Sequence, residues 1–351
     1  MNERKRSLTR GSRAALAMLL PVAMLAACTS ASDGSGDTAS SGKSVVYVST
    51  GPIGTDQFLE LISEGTKAGA AECGMDPLII ESTNSVTLES NLRAAAAKRP
   101  DVIVANSFDG TDVITELGEA NPDQKWILVD SAIPGNPNVR SLVFKEHEGM
   151  FLIGAGFAEL ASGAYDGFAA SDSVGFVGAM DNPLVRRWYN GMVQGVETVS
   201  PGMKVEAGWG NSFTDPATSK ELALSQHARG INYIAAVSAA GNSGIFEAAA
   251  EQDFFTSGVD IDERSKDPDH IIMSMVKRSD VAVKDSICDV ANGDFSGGEI
   301  PLGVKEGAVG PAFLTIPEGQ LQMPSRLPEE VQSSLSDLRD QIASGEITVT
   351  P

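Results

Sequence analysis

From Ser44 onward, short apolar runs alternate with stretches whose apolar residues recur at helical spacing. SVVYVST (44–50), PLIIEST (77–83), DVIVANS (101–107), KWILVDS (125–131) and NVRSLVF (138–144) read as strands. Between them DQFLELISEGTKAGAAEC (56–73), LESNLRAAAAK (88–98) and GTDVITELGEAN (110–121) read as helices. The strands are nearly unbroken apolar runs, the pattern of parallel strands covered on both faces. The series then restarts. Helices are predicted over 147–161, 183–199, 216–230 and 242–252, and strands over 173–179, 204–210, 231–239 and 254–260. Strand and helix alternating with short loops predict an α/β fold of two doubly wound parallel-sheet lobes. IIMSMV (271–276) and IPLGV (300–304) return late, which predicts a multi-strand hinge. In such sheets ligands bind outside the carboxyl ends of the strands.

The first residues follow a different pattern. Arg4, Lys5, Arg6, Arg10 and Arg13 precede an apolar stretch from Ala14 to Ala27, and small residues lead to Cys28. This is the build of a secretory signal, and Leu25-Ala26-Ala27-Cys28 resembles the lipobox of bacterial lipoproteins. The expectation is a signal over 1–27, a lipid on Cys28 and a Gly/Ser-rich flexible tether over 28–43. No later run is long and apolar enough to cross a bilayer.

Charge and cysteine content narrow the choices. The chain carries a formal charge of −21, and without its basic leader the remainder is near −25. Nucleic-acid binding, which needs a basic face, is excluded. Roughly 310 residues remain beyond the tether, enough for two lobes. Cys73 and Cys288 either form one disulfide outside the cytoplasm or stay as two buried thiols. His147, His227 and His270 are far apart in sequence, so no metal site is expected.

Catalytic signatures are missing. GAGFAE (154–159) lies within a helix and lacks the third glycine of a dinucleotide fingerprint. AGNSGI (240–245) is not a nucleophile elbow, and DIDE (260–263) does not continue as a calcium loop. There is no P-loop, and no histidine is placed to activate a nucleophile. The chain reads as a binder without a cofactor, not as an enzyme.

Four blocks carry a resemblance: NVRSLVFKEHEGMFLIGAGFAELAS (138–162), VGFVGAMDNPLVRRWYNGMVQGVETVSPGMKV (174–205), SFTDPATSKELALSQHARGINYIAAVSAAGNSGIFEAA (212–249), and GVDIDE with SMVKRSDVAV (258–283). Together they resemble the basic membrane protein family, the substrate-binding lipoproteins of ABC importers, similar to purine-nucleoside receptors. The resemblance implies a type I periplasmic-binding-protein fold. It implies that Phe58 and Trp188 clamp a base from opposite lobes. On helical spacing alone, both rings read equally as core side chains. It further implies polar ligand contacts from Asp130, Asp260 and Lys277 at strand ends, with Asp56, Asn106, Asp181 and Gly241 as further lining residues. Read by themselves, Asp130 and Asp260 could cap helices or loops, and Lys277 could pair with Asp280 on the surface. The chain departs from the family where Gln57 and Leu59 stand for a serine and an asparagine flanking the first ring. That exchange removes hydrogen bonds to the polar edge of the ligand.

The expected organisation is a first lobe over 44–145 plus 258–298 and a second over 146–257 plus 299–316, with a one-helix segment over 317–351. The expected function is capture of a small neutral ligand, most simply a purine nucleoside, by a monomer anchored on the extracytoplasmic face and served by a membrane permease. A sensor of the same fold, an extracellular nucleoside hydrolase and an adhesin or antigen with an empty cleft are the rivals.

Overall fold

The computed structural model describes residues 42–351, which form one compact unit. The expected signal, Cys28 and nearly all of the tether lie outside the described residues. The first lobe is laid down as β1 (Lys43–Ser49), α1 (Gln57–Cys73), β2 (Met75–Glu81), α2 (Ser85–Lys98), β3 (Val102–Asn106), α3 (Thr111–Ala120), β4 (Lys125–Val129) and β5 (Val139–Phe144). The second follows as α4 (Glu146–Leu160), β6 (Ser173–Gly178), α5 (Pro183–Val199), β7 (Lys204–Trp209), α6 (Pro216–His227), β8 (Tyr233–Val237), α7 (Asn242–Gln252), β9 (Phe255–Asp260) and β10 (Ile271–Lys277). The chain then returns with α8 (Ser279–Asn292), β11 (Gly298–Leu302), β12 (Val309–Pro311), a short α9 (Ala312–Thr315) and α10 (Glu329–Ser344).

Two six-stranded sheets result, ordered β11-β5-β4-β3-β1-β2 and β12-β10-β9-β8-β6-β7. The second order repeats the first, strand for strand. Every pairing is parallel except that of β12 with β10. Both faces of each sheet are covered. In β1, Val45 and Tyr47 enter one core while Val46 and Val48 enter another. This double burial is why the strands read as continuous apolar runs.

The strand pairing divides the chain differently from the expected boundaries. The expected first lobe includes residues 258–298. Instead β9 and β10 extend the second sheet, Tyr233 pairing with Phe255 and Val259 with Met275. The expected second lobe includes residues 299–316, but β11 hydrogen-bonds to β5 in the first. The chain therefore crosses at Lys145, at Arg278 and over 303–308. These crossings are tied together: Lys145 donates its amide to Leu302 and Arg278 donates its amide to Ala308, both at 2.9 Å. Glu148 accepts from the Val304 amide at 2.8 Å and the Lys145 ammonium at 3.1 Å, which fixes the third crossing to the first.

Helix α8, absent from the sequence expectation, packs along α1 in a repeating register. Gly65, Gly69 and Cys73 lie four residues apart on α1, and Asp280, Lys284 and Cys288 lie four apart on α8. Such spacing places each set on one helix face. A Cβ at Gly65 would overlap the Asp280 carbonyl, and one at Gly69 would come within 3.0 Å of the Lys284 carbonyl. The third pair, Cys73 and Cys288, is bridged, with Cα atoms 5.4 Å apart. The bridge closes a loop of sequence separation 215. It anchors the returning α8 to the lobe that begins the unit. The double substitution Cys73→Ser/Cys288→Ser is expected to remove about 2–5 kcal/mol of stability, and Gly65→Ala to lower the melting temperature as well. Denaturant melts of the three proteins check this; equal midpoints would contradict it.

Candidate functional site

The carboxyl ends of both sheets face one cavity of about 260 Å³, near the lower end of the roughly 300–1,000 Å³ range of ligand sites. From the first lobe come Asp56 and Phe58 of the α1 start, Asn106 of β3, and Asp130, which follows β4. From the second come Trp188 of α5, Ala239, Asp260 at the end of β9 and Lys277 at the end of β10. The repeat of topology shows in the backbone. Ser107 and Asp130 follow β3 and β4; Ala239 and Asp260 stand at the corresponding strand ends of the second sheet. All four have positive φ, between 50° and 70°. Left-handed backbone at non-glycine residues is uncommon and concentrates at functional sites.

Local structure sets each group. Asp56 is the N-cap of α1 and accepts the Phe58 amide at 2.9 Å, which turns the Phe58 ring into the cavity wall. Asn182 caps α5 by accepting the Val185 amide at 2.9 Å, with Pro183 in the first turn. One face of α5 then carries Arg187, Gly191 and Gly195. The two glycines press against the carbonyls of His147 and Phe151 on α4. That approach puts the Arg187 guanidinium 3.3 Å from Glu146, the first residue of α4. Asn106 is buried and occupied: it accepts from the Tyr47 hydroxyl and donates to Thr50, each at 3.0 Å.

Lys277 is the centre of the site. It ends a strand buried along its whole length and is itself only 2 % exposed. Its ammonium donates to Asp130 of the other lobe and, at 3.3 Å, to Glu146. It also lies 4.5 Å from the Phe58 ring centroid and 5.7 Å from that of Trp188, within cation–π range. Burial works against its charge, but Asp130, Glu146 and Asp260 outweigh burial and hold the ammonium above its ordinary value. Burial also pushes the Asp130 and Asp56 carboxyls up, partly offset by Lys277. Asp260 is pushed up to about 7, first by burial and then by Asp56, Asp130 and Glu263 against the pull of Lys277. Lys277 does not pair with Asp280, which Arg278 takes at 3.0 and 3.1 Å.

Seven of the residues singled out from sequence thus meet at one cavity: Asp56, Phe58, Asn106, Asp130, Trp188, Asp260 and Lys277. Two do not. Asp181 is held by Arg186 through both carboxylate oxygens, on a half-exposed surface. That guanidinium stacks on Trp209 at 5.4 Å. Gly241 is buried behind the loop, where a Cβ would come 2.7 Å from Ser219 Oγ; Ala239 lines the cavity in its stead. Among the lining residues that the sequence reading does not single out are Phe108, Asp109 and Phe213. Phe108 and Phe213 are 57 % and 38 % exposed. Each follows a serine in a polar loop just after a strand, SFDG (107–110) and SFTD (212–215). An aromatic ring in such a loop is the signal that could have found them. Glu146 and Arg187, which support Lys277 from beneath, were also unassigned.

The arrangement holds no paired nucleophile and base. It presents rings, a buried ammonium and carboxylates, groups that grip a ligand from two sides. No helix among the described residues is long and apolar enough to cross a membrane.

Known proteins agree with this geometry. The family described as ABC transporter substrate-binding protein PnrA-like matches residues 43–350. A CD4+ T-cell-stimulating antigen of Listeria innocua is 28 % identical, over 95 % of this chain and 97 % of its own. The ABC transporter nucleoside-binding protein BmpA of Lactococcus lactis is 24 % identical, over 94 % of this chain and 96 % of its own. Among solved structures, an ABC transporter system solute-binding protein from Aeropyrum pernix superposes with a TM-score of 0.75 and 28 % identity, covering 88 % of this chain and 94 % of that one. Two parallel-sheet lobes, a cleft between their strand ends and a family match across the whole described unit lead to one assignment: the chain belongs to the PnrA-like family of ABC transporter substrate-binding proteins.

Proposed function

We propose that this protein captures a neutral nucleoside in the cleft, closes on it, and delivers it to a transporter permease while tethered to the outer face of the membrane through a lipid on Cys28. The anchor rests on the sequence before the described residues, and the unit is proposed to act as a monomer. The observation that carries the ligand class is the chemistry around Lys277. Asp130 offers one oxygen to the ammonium, while its other, Oδ1, is buried with no hydrogen-bond partner among the described residues. A buried acceptor without a donor costs about 1–3 kcal/mol. A sugar hydroxyl supplies that donor as the lobes close.

The base is held between Phe58 of the first lobe and the second-lobe rings Trp188 and Phe213. Stacking is worth roughly 1–3 kcal/mol per ring. Trp188, at 6 % exposure, doubles as a wall of the core. Phe213 lines the same cavity from an exposed loop. The nucleoside-binding relative from Lactococcus lactis supports the ligand class. Closure follows because the ligand contacts both lobes and so binds the closed state preferentially.

The charge of the cleft refines the choice. Asp56, Asp109, Asp130 and Asp260 line it against one cation, Lys277. A phosphorylated ligand would bring like charge into a low-dielectric site. Melting temperature against a panel of nucleosides, free bases, pentoses and nucleotides tests the reading, since a ligand of the folded state raises it by mass action. Adenosine or another purine nucleoside is expected to raise it saturably, and AMP to bind at least about 100-fold more weakly than adenosine. A flat response across all nucleosides would contradict the reading. Phe58→Ala and Phe213→Ala are expected to weaken nucleoside affinity by about 1–3 kcal/mol each. Trp188→Ala should also lower stability. Calorimetric titration beside thermal melts separates these effects. Lys277→Met leaves Asp130 and Glu146 without their shared cation, and about 3–5 kcal/mol of stability is expected to go with it, together with ligand binding; unchanged stability in a urea melt would contradict the central role of Lys277.

A further inference from the structure

Asp109 at the rim is exposed to solvent; among the buried and half-buried carboxylates of the cleft, Asp260 is the one with no donor. Asp56 accepts the Phe58 amide. Asp130 accepts from Lys277, and Glu146 shares Lys277 and faces Arg187. Asp260 accepts no hydrogen bond from any described residue. The charged groups that face it are Lys277 on β10, Asp56 at the start of α1, Asp130 after β4, and Glu263 on the turn beyond β9. Glu263 is already taken by the Val259 amide at 3.0 Å, Asn242 at 3.2 Å and Lys266 at 2.7 Å. Asp260 also lines a second chamber together with Glu60 and Glu64 of α1. There Asp262 and Asp280 are neutralised by Arg264 and Arg278. Asp260 therefore sees three nearby anions and one cation that two other carboxylates already hold.

The charge balance of the floor leads to the same place. Asp56, Asp130, Glu146 and Asp260 stand against Lys277 and Arg187, an excess of negative charge. While the cleft is open, water reaches the half-buried Asp260 and screens it. A neutral ligand closing over it expels that water without adding a cation. Burying an unpaired carboxylate is far more costly than letting it take a proton. We propose that closing the cleft on a neutral ligand takes up one proton from solvent, and that Asp260 holds it as a carboxyl whose O–H donates to the ligand. This rests on the reading of a neutral, hydroxyl-bearing ligand given above. In the ligand-free protein Asp260 is already pushed up to about 7 by burial, with Asp56, Asp130 and Glu263 adding to it against Lys277. The exchange therefore falls near neutral pH.

The sign follows from linkage. The proton is bound more tightly in the closed complex, so affinity is full at low pH and falls as pH rises through the titration of the complex. The same carboxyl acts on stability without ligand. Its native pKa is raised above the unfolded value of about 3.9, so its contribution is full below that value and lost as pH rises through about 7. Asn at this position cannot ionise and escapes the loss.

Two measurements on the purified protein test the proposal. The first is calorimetric titration with adenosine, a neutral nucleoside, from about pH 5.5 to 8.5 in buffers of different ionisation enthalpy. Wild type is expected to lose affinity above neutral pH, with a slope approaching tenfold per pH unit and uptake of about one proton. Asp260→Asn should flatten the profile and abolish the uptake. A flat wild-type profile without uptake, or a slope that survives in Asp260→Asn, would overturn the proposal. The second needs no ligand: the melting temperatures of wild type and Asp260→Asn across the same range. The variant's advantage is expected to grow with pH, and a constant gap would overturn the placement of the proton. If adenosine binds at no pH while that gap grows, the nucleoside reading fails and the proton on Asp260 stands.

Discussion

A buried ammonium shared between two lobes is the constraint on which the rest of this structure depends. Lys277 ends a core strand of the second sheet, so the fold carries its charge inward. It survives there because Asp130 reaches it from the first lobe and Glu146 from the hinge. Buried ion pairs are weak sources of stability but demanding of geometry. Here the demand fixes which strand ends must face each other. It explains why α4 begins at once after β5, with Glu146 as its first residue. It also explains why α5 lies close enough on α4 for Arg187 to neutralise the far side of Glu146.

The duplicated topology supplies the frame for that constraint. Equivalent strands are followed by residues of positive φ, and both lobes turn a carboxylate to the cleft at the same place, Asp130 after β4 and Asp260 at the end of β9. The two differ in what meets them. Asp130 has the ammonium; Asp260 has only a share of its field. Three crossings bond to one another through Lys145, Arg278 and the 303–308 segment, and so tie the two sheets together beside the strand ends. In the proposed function, ligand recognition and closure follow from this one arrangement, because the cavity-lining groups come from both lobes.

Much of this was legible in the chain, for physical reasons that also mark where legibility stops. Unbroken apolar runs such as VIVAN and YIAAV announce parallel strands covered on both faces, and their ends announce the cleft. Strand partners are not encoded locally, so the expected lobe boundary cuts β9 and gives β10 to the first lobe, where the pairing puts both in the second sheet. Helix α8 has the helical spacing Val283, Ile287 and Val290, but its β-branched and acidic residues dilute the signal. Asp181 follows a strand just as Asp130 does; only Arg186, five residues on, decides that it is a surface ion pair. Gly241 fails because its loop turns it inward against Ser219. Phe108 and Phe213 were overlooked because loop aromatics carry no periodicity. Phe58, Trp188 and Lys277 are far apart in the chain, and the family resemblance alone implies that they share a site. The Cys73–Cys288 bridge stays open in the sequence because the register of α1 on α8, which brings the two together, is a tertiary contact.

The most direct test of the central claim is a crystal structure of the protein grown with adenosine. The account predicts a closed cleft, the base against Phe58 with Trp188 and Phe213 on its other side, and the sugar hydroxyls on Asp130 and Asp260 with Lys277 still between Asp130 and Glu146. Adenosine bound away from these strand ends, or a Lys277 side chain turned out of the carboxylate cluster, would contradict it.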